Sequence, residues 1–161
     1  MSISCKDNNI KVWDTKNLEL IVNIEKINEN GELDSACFLA DKNQNFIISC
    51  NDGEEDLSEY IKVFDFNGRK IKEINNSNDI SFSIDSYYDK KSNKNYIITS
   101  NCGYSKSYDY TKNKLYHKYF DNDKRGHSSF IIYNNKSVIK LMESSNDGNI
   151  RIWNFHTGKL L

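Results

Sequence analysis

The chain has 161 residues, long enough for one ordinary domain with a sizeable core. Its formal net charge is −1 and the charges are interspersed, so no overall field favours nucleic acid or an anionic membrane as a partner. Proline is absent, no run of about 18 apolar residues could form a transmembrane helix, and residues 1–7 lack the apolar core of a secretory signal.

Strands are the elements that the sequence predicts along its whole length, because short apolar or alternating runs are separated by turn residues. In chain order, the predicted strands are 2–5, 10–14 and 18–24; 33–39, 45–50, 60–65 and 69–74; 80–87, 95–100, 105–110 and 114–120; and 128–133, 137–143 and 149–154, with 159–161 beginning another. Asn146-Asp147-Gly148 is a tight turn of the Asp-Gly hairpin type. The pattern predicts units of four short antiparallel strands, the first unit being partial.

An aromatic residue followed by Asp or Asn ends the third strand of every unit. These repeat-closing pairs are Trp13 and Asp14, Phe64 and Asp65, Tyr108 and Asp109, and Trp153 and Asn154. The aromatics are separated by 51 (13 to 64), 44 (64 to 108) and 45 residues (108 to 153). A period of this size is typical of stacked units, none of which buries its apolar face alone.

The last unit resembles a WD40 repeat in three places: Gly126-His127, Ser145-Asn146-Asp147-Gly148 and Ile150-Arg151-Ile152-Trp153-Asn154. The resemblance extends over nearly the whole chain. It implies an all-β fold, a WD40-type β-propeller segment of about three and a half four-stranded blades, as part of a larger, seven-bladed propeller. The single domain, 1–161, would contain units at 1–14 (partial), 18–65, 68–110 and 113–154, with 158–161 starting the next.

The units start and stop inside the repeat. We therefore expect a fragment of a longer propeller protein. Its exposed blade faces would contact the remaining chain or cause self-association, because repeat arrays need polar caps at their ends.

The resemblance also implies a buried hydrogen-bond relay in the last unit. The relay would join His127, Ser144 or Ser145, Asp147 and Trp153, with imidazole and indole N–H groups serving a buried carboxylate. Phe64 and Tyr108 replace Trp in the earlier units, which are expected to depend on apolar packing.

No set of residues predicts catalysis, a cofactor or a metal. His117, His127 and His156 lack metal-ligand spacing, and no nucleophile or phosphate-binding motif is present. His117 is expected to face solvent on an outer strand. The four cysteines show no CxxC spacing and are expected to be reduced. We predict an intracellular, cytoplasmic protein that is not an enzyme, with a nuclear or cytoskeletal location as alternatives.

Residues 51–60 carry five carboxylates in a hairpin that is longer than its counterpart in the last unit. Two interpretations stay open: a solvated surface loop, or an acidic finger for a basic partner. The candidate partner contacts, all in turns or in this insertion, are Asn51, Asp52, Glu54, Glu55, Asp56, Glu59, Tyr104 and Asn146.

These features favour a non-enzymatic scaffold that binds protein partners through loops on one propeller face, with no nucleic acid or membrane among its partners. The alternative is the regulatory propeller portion of a larger enzyme polypeptide or complex, such as a kinase or ubiquitin-ligase subunit. A weaker third hypothesis, phosphoinositide binding, lacks the paired-arginine signature of the propellers that do so.

Overall fold

A computed structural model describes residues 2–4, 8–27, 32–41, 44–52, 60–75, 80–121, 127–135 and 138–161. These residues form fourteen strands and no helix. The strands are β1 (Ser2–Ser4), β2 (Asn9–Trp13), β3 (Leu20–Ile24), β4 (Glu32–Asp41), β5 (Gln44–Asp52), β6 (Tyr60–Phe64), β7 (Lys70–Asn75), β8 (Ser81–Asp89), β9 (Lys94–Asn101), β10 (Tyr104–Asp109), β11 (Lys114–Tyr119), β12 (His127–Asn135), β13 (Val138–Ser145) and β14 (Ile150–Asn154). Over these ranges, no helix has the length and apolar character needed to cross a membrane.

The strands pair with their chain neighbours into four antiparallel sheets. Sheet 1 contains β1 to β3, sheet 2 contains β4 to β7, sheet 3 contains β8 to β11, and sheet 4 contains β12 to β14. Leu160 adds a bridge to Trp153 at the outer edge of sheet 4. The predicted all-β class is confirmed, and sheets 2 and 3 have the four strands expected of each unit.

Side chains alternate between the two faces of each sheet, and this alternation makes both faces available for packing. In β13, for example, half-buried and buried residues alternate over the whole strand. Three apolar cores result: Val12 and Phe64 lie between sheets 1 and 2, Ile48 and Tyr108 between sheets 2 and 3, and Leu141 between sheets 3 and 4. The sheets therefore stack in chain order, with β8 in contact with β4 and β12, in a propeller-like arrangement.

Three of the four repeat-closing aromatics face the sheet that precedes their own. Phe64 belongs to the core shared with sheet 1, Tyr108 to the core shared with sheet 2, and Trp153 to the core shared with sheet 3. Trp13 has the same position in sheet 1 but is 41% exposed. Within the described ranges no sheet precedes sheet 1, and this accounts for the difference.

The repeat-closing Asp or Asn organises the turn that follows it. Each Oδ1 atom accepts backbone N–H groups in this turn: Lys16 for Asp14 (2.7 Å), Asn67 and Arg69 for Asp65 (3.0 and 2.9 Å), Lys112 for Asp109 (2.9 Å), and His156 and Thr157 for Asn154 (3.1 and 3.0 Å). Side-chain acceptors of this kind reproduce a backbone turn, which is why Asp and Asn recur here.

The strand ends lie on two sides of the stack. We call upper face the side on which the even-numbered strands begin and the odd-numbered strands end. The lower face is the opposite side. Asn93 and Asn113 adopt left-handed conformations (φ 56° each) in the lower-face turns of sheet 3. Asn tolerates this conformation better than most residues do.

Candidate interaction face

Tyr104, Lys118 and Phe120 form a cation–aromatic patch on the upper face of sheet 3. Tyr104 starts β10 directly after Gly103, and β11 runs antiparallel beside it. The Nζ atom of Lys118 lies 3.4 Å from the centroid of the Tyr104 ring and 5.6 Å from that of Phe120. Phe120 is 54% exposed. The patch thus presents an aromatic surface and a positive charge next to each other.

Arg151 binds Asp121, where the chain leaves the patch after Phe120. Its Nη2 and Nη1 atoms lie 2.6 and 3.2 Å from the two carboxylate oxygens of Asp147, and its Nε donates to Asp121, the neighbour of Phe120. The Arg151 and Asp147 side chains are only 9% and 7% exposed. The hydrogen bonds to Asp147 and then Asp121 raise the pKa of Arg151 further above its ordinary value, so the guanidinium keeps its charge.

Lys62 has the same position in sheet 2 as Arg151 has in sheet 4. Like Arg151, it binds the chain segment that comes from the preceding sheet. Both residues lie two positions before a repeat-closing aromatic. Lys62 Nζ donates to the backbone oxygen of Ile27, at 2.7 Å, in the connection from sheet 1 to sheet 2. A cation from the third strand therefore ties down the entering connection in two units.

A buried carboxylate links sheets 3 and 4 beneath the upper face. Glu143 is 1% exposed; its Oε1 accepts the indole N–H of Trp153 at 2.7 Å, and its Oε2 accepts the hydroxyl of Ser105. The predicted relay is therefore corrected at its Trp153 end. An indole has a single N–H donor, and this donor goes to Glu143 instead of Asp147, whose carboxylate Arg151 binds.

The structure describes the other predicted relay residues only in part. Ser144 and Ser145 lie in β13, and the buried Ser145 Oγ has no hydrogen-bond partner among the described residues. The backbone of His127 pairs with Ser145, but its side chain lies outside the described part of the structure. The link between His127 and Asp147 therefore stays a prediction.

Of the predicted partner contacts, the structure describes the side chains of two, Tyr104 and Asn146. Tyr104 belongs to the patch, and Asn146 is exposed in the β13–β14 turn, which lies on the same upper face. The backbones of Asn51 and Asp52 continue β5 opposite Leu33 and Glu32, while their side chains are not described. Glu54, Glu55, Asp56 and Glu59 lie outside the described residues.

A second cluster, on the lower face, was not foreseen from the sequence. His117 Nε2 lies 2.5 Å from the backbone oxygen of His156, and Tyr116 Oη lies 3.1 Å from His156 Nδ1. The expectation that His117 faces solvent is wrong: it is half-buried because the turn after β14 covers it. His156 Nε2 also lies 3.8 Å from Asp89 Oδ2, and Asp89 lines a cavity of about 240 Å³.

The described residues contain no group of three or more His, Cys, Asp or Glu side chains placed to hold an ion. The lower-face cluster has aromatic and hydrogen-bonding neighbours instead, with Tyr116 against His117 at a centroid distance of 4.4 Å.

Comparison with known proteins bears on the fold alone. A solved structure titled "Dihydro-heme d1 dehydrogenase NirN in complex with DHE" matches 98% of this chain with a TM-score of 0.69 and 14% sequence identity. That protein is propeller-like, and the present chain spans 33% of its length. No protein-family model matches the sequence, and no curated protein matches it.

Proposed function

We propose that this chain is a WD40-type propeller segment that acts as an intracellular, non-enzymatic scaffold and binds protein partners across its upper face. The observation that carries the proposal is the patch of Tyr104, Lys118 and Phe120. The 44- to 51-residue period and the repeat-closing turns support the WD40-type assignment, with the four sheets forming part of a larger ring.

The patch has the properties of a protein-binding hot spot. Aromatic residues are enriched at the centres of interfaces, where they supply much of the binding energy. Phe120 is more than half exposed, and Lys118 contacts both rings. The ion pair with Arg151 holds Asp121, the residue next to Phe120, so the chain at this edge of the patch is already restrained before a partner binds.

The acidic insertion adds a second element to the proposed site. The insertion follows Asp52 at the upper-face end of β5, and residues 52–59 carry five carboxylates. Negative charge there and positive charge at Lys118 would together steer a partner with its own basic and acidic regions. Such steering acts mainly on the association rate and weakens as salt increases.

Affinity capture with matched variants tests the proposal. The bait proteins are the wild type, the double variant Tyr104→Ala/Phe120→Ala, and the control Leu115→Ala. Leu115 is 52% exposed, close to Phe120 in exposure, but lies opposite Tyr108 near the lower-face end of β11, the end opposite the patch. A specific partner should be captured by the wild type and the control and lost from the double variant.

The affinity of the captured partner then gives the quantitative test. Truncating a hot-spot aromatic costs about 1–2 kcal/mol, and we therefore expect the Kd to rise by at least about tenfold for the double variant. If the double variant bound every partner as well as Leu115→Ala does, the patch would not be the binding site.

The contribution of the insertion is tested separately with Glu54→Gln/Glu55→Gln/Asp56→Asn. We expect a slower association at low salt and little change at high salt, measured by surface plasmon resonance. An association rate equal to that of the wild type at every salt concentration would show that the insertion is only a solvated loop.

A further inference from the structure

A cavity of about 240 Å³ lies on the lower face where sheets 3 and 4 meet. The end of β8 and the turn after it form one wall, and the end of β12 with the start of β13 forms the other. Besides Asp89, the described residues that line the cavity are Tyr87, Tyr88, Lys90, Lys91, Asn134 and Ile139. Pockets for drug-sized ligands usually have about 300–1,000 Å³, so this cavity suits a side chain of a peptide better than a nucleotide or a cofactor.

The inner part of the cavity is apolar and ordered. Ile139 is buried, and Tyr87 packs against the core that sheets 3 and 4 share. The Tyr87 ring meets the ring of Phe155 edge to face, with the centroids 5.5 Å apart. An apolar side chain that enters here would therefore contact an aromatic surface that is already held in place.

Lys90 and Lys91 give the same cavity a positive edge. Both side chains are exposed, and neither ammonium group forms an ion pair or hydrogen bond with a described residue. Lys94, at the end of the same turn, differs from them because its Nζ atom lies 3.4 Å from Asp109 Oδ2. Two cations are thus left for a partner directly beside the apolar part of the cavity.

Asp89 does not reverse this charge preference, because its carboxylate is occupied by its own turn. Oδ1 accepts the backbone N–H of Lys91 at 3.0 Å, and Oδ2 accepts the backbone N–H and the hydroxyl of Ser92 at 3.3 and 2.5 Å. The Asp89 side chain is only 4% exposed. It therefore has little capacity left for a ligand cation, and the same hydrogen bonds hold the turn that carries Lys90 and Lys91.

We infer that this cavity is a second docking site, which binds an acidic peptide segment of a protein partner. An apolar side chain of the segment enters between sheets 3 and 4 and contacts Tyr87 and Ile139, while neighbouring carboxylates of the segment pair with Lys90 and Lys91. Nucleic acid is not favoured, because binding an extended polyanion needs several cations in a row and the net charge of the chain is −1. The site lies on the face opposite the upper-face patch and does not depend on it.

NMR titration of the isotope-labelled 161-residue chain tests the inference. The probe is a pool of capped hexapeptides in which one Leu, Ile, Phe or Tyr is flanked by Glu and Asp. We expect the backbone amide signals of Tyr88, Lys91 and Asn134 to shift, and those of Tyr104 and Phe120 on the upper face to stay unchanged. Cavity signals that did not move at millimolar peptide would overturn the inference.

Two charge-reversal variants separate a local site from a general charge effect. Lys90→Glu/Lys91→Glu should raise the Kd at least about tenfold, because like charges would then face each other across the contact. The matched control is Lys112→Glu/Lys114→Glu, which makes the same charge change at exposed positions of the next lower-face turn of sheet 3, outside the cavity lining. It should raise the Kd less than about threefold. Equal losses for the two variants would mean that the peptide responds only to net charge.

A second peptide pool, with Ala in place of the apolar residue, tests the use of the cavity itself. We expect it to bind at least about tenfold more weakly, because the apolar contact with Tyr87 and Ile139 is lost. Equal affinity for the two pools would show that the cavity is not occupied, and would overturn the inference. Tyr104→Ala/Phe120→Ala should bind the first pool as the wild type does, so this result is independent of the upper-face proposal.

Discussion

The indole nitrogen of Trp153 donates a 2.7 Å hydrogen bond to the Oε1 atom of Glu143, a carboxylate that is only 1% exposed. The second oxygen of the same carboxylate accepts the hydroxyl of Ser105 from the neighbouring sheet. A buried carboxylate is tolerated only when it is hydrogen-bonded, so this pair of donors holds sheets 3 and 4 in one relative position.

Replacing Trp153 by Phe should destabilise the fold substantially. The change removes one donor from a buried carboxylate and leaves a gap in the core. The two effects together are expected to lower the free energy of unfolding by about 2–4 kcal/mol, measured by urea denaturation at constant protein concentration. The matched control is Trp13→Phe, because Trp13 has the same repeat position but is 41% exposed, and it should cost less than about 1 kcal/mol. Equal costs at the two positions would refute this account of Glu143.

Arg151 and Arg69 form a second matched pair for experiment. Each lies four residues after an Asp that it contacts, Asp147 and Asp65 respectively, but the Arg151 side chain is 9% exposed and the Arg69 side chain 79%. Arg151→Ala leaves the nearly buried Asp147 without this cation and should cost about 3 kcal/mol or more. Arg69→Ala should cost less than about 1 kcal/mol, because exposed ion pairs contribute little.

Arg151→Lys separates charge from geometry in the same measurement. Lysine keeps the charge but cannot bind Asp147 through two nitrogens while also reaching Asp121. We expect it to recover only part of the stability lost in Arg151→Ala. Full recovery would mean that charge alone, and not the forked geometry, stabilises this corner of the upper face.

The strand order could be predicted from the sequence because its signals are local. The turns that follow Asp65 and Asn154 depend on a side chain and backbone groups two to four residues away, within one stretch of chain. The period then groups these turns into units. The predicted fourth strand of the second unit, 69–74, accordingly differs by one residue at each end from β7.

Contacts between units could not be predicted in the same way. The predicted relay gave Trp153 a partner in the β13–β14 turn, Asp147. In the structure Arg151 binds the carboxylate of Asp147, and alternation along β13 directs Glu143 toward the core. His117 was expected to face solvent because the outer strand was considered alone. It is covered by His156, which is 39 residues away in the chain and lies in the turn after β14.

The turn after β14 offers a test of the repeat-closing Asn. Asn154 Oδ1 accepts the backbone N–H groups of His156 and Thr157 at 3.1 and 3.0 Å. Asn154→Ala should cost about 1 kcal/mol in thermal or urea unfolding, since both groups lose their acceptor. Asn154→Asp keeps an oxygen at this position and should be nearly neutral, as the natural Asp at the equivalent position 109 suggests. Similar losses for both variants would mean that the amide nitrogen, and not Oδ1, is what the turn requires.

Asp89 should make the stability of the lower face depend on pH. Burial raises the pKa of Asp89, but hydrogen bonds from Ser92 Oγ and from the backbone N–H groups of Lys91 and Ser92, together with the charge of His156, outweigh it. The folded-state pKa therefore lies below the ordinary value of 3.8. A carboxyl group with a lowered pKa contributes stability that is present above its unfolded pKa and lost as the pH falls through the folded one. The free energy of unfolding of wild type minus that of Asp89→Asn should thus be largest near neutral pH and shrink below about pH 4.

Ser92→Ala refines the same experiment. Removing one hydrogen bond to the carboxylate raises the pKa of Asp89 relative to the wild type, so the loss of stability in acid should begin at a higher pH. Urea midpoints measured across the acid range for the three proteins provide the comparison. A wild-type and an Asp89→Asn protein whose stabilities stayed parallel from neutral to acid pH would show that the carboxylate form of Asp89 does not stabilise the contact between its hairpin and the turn of His156.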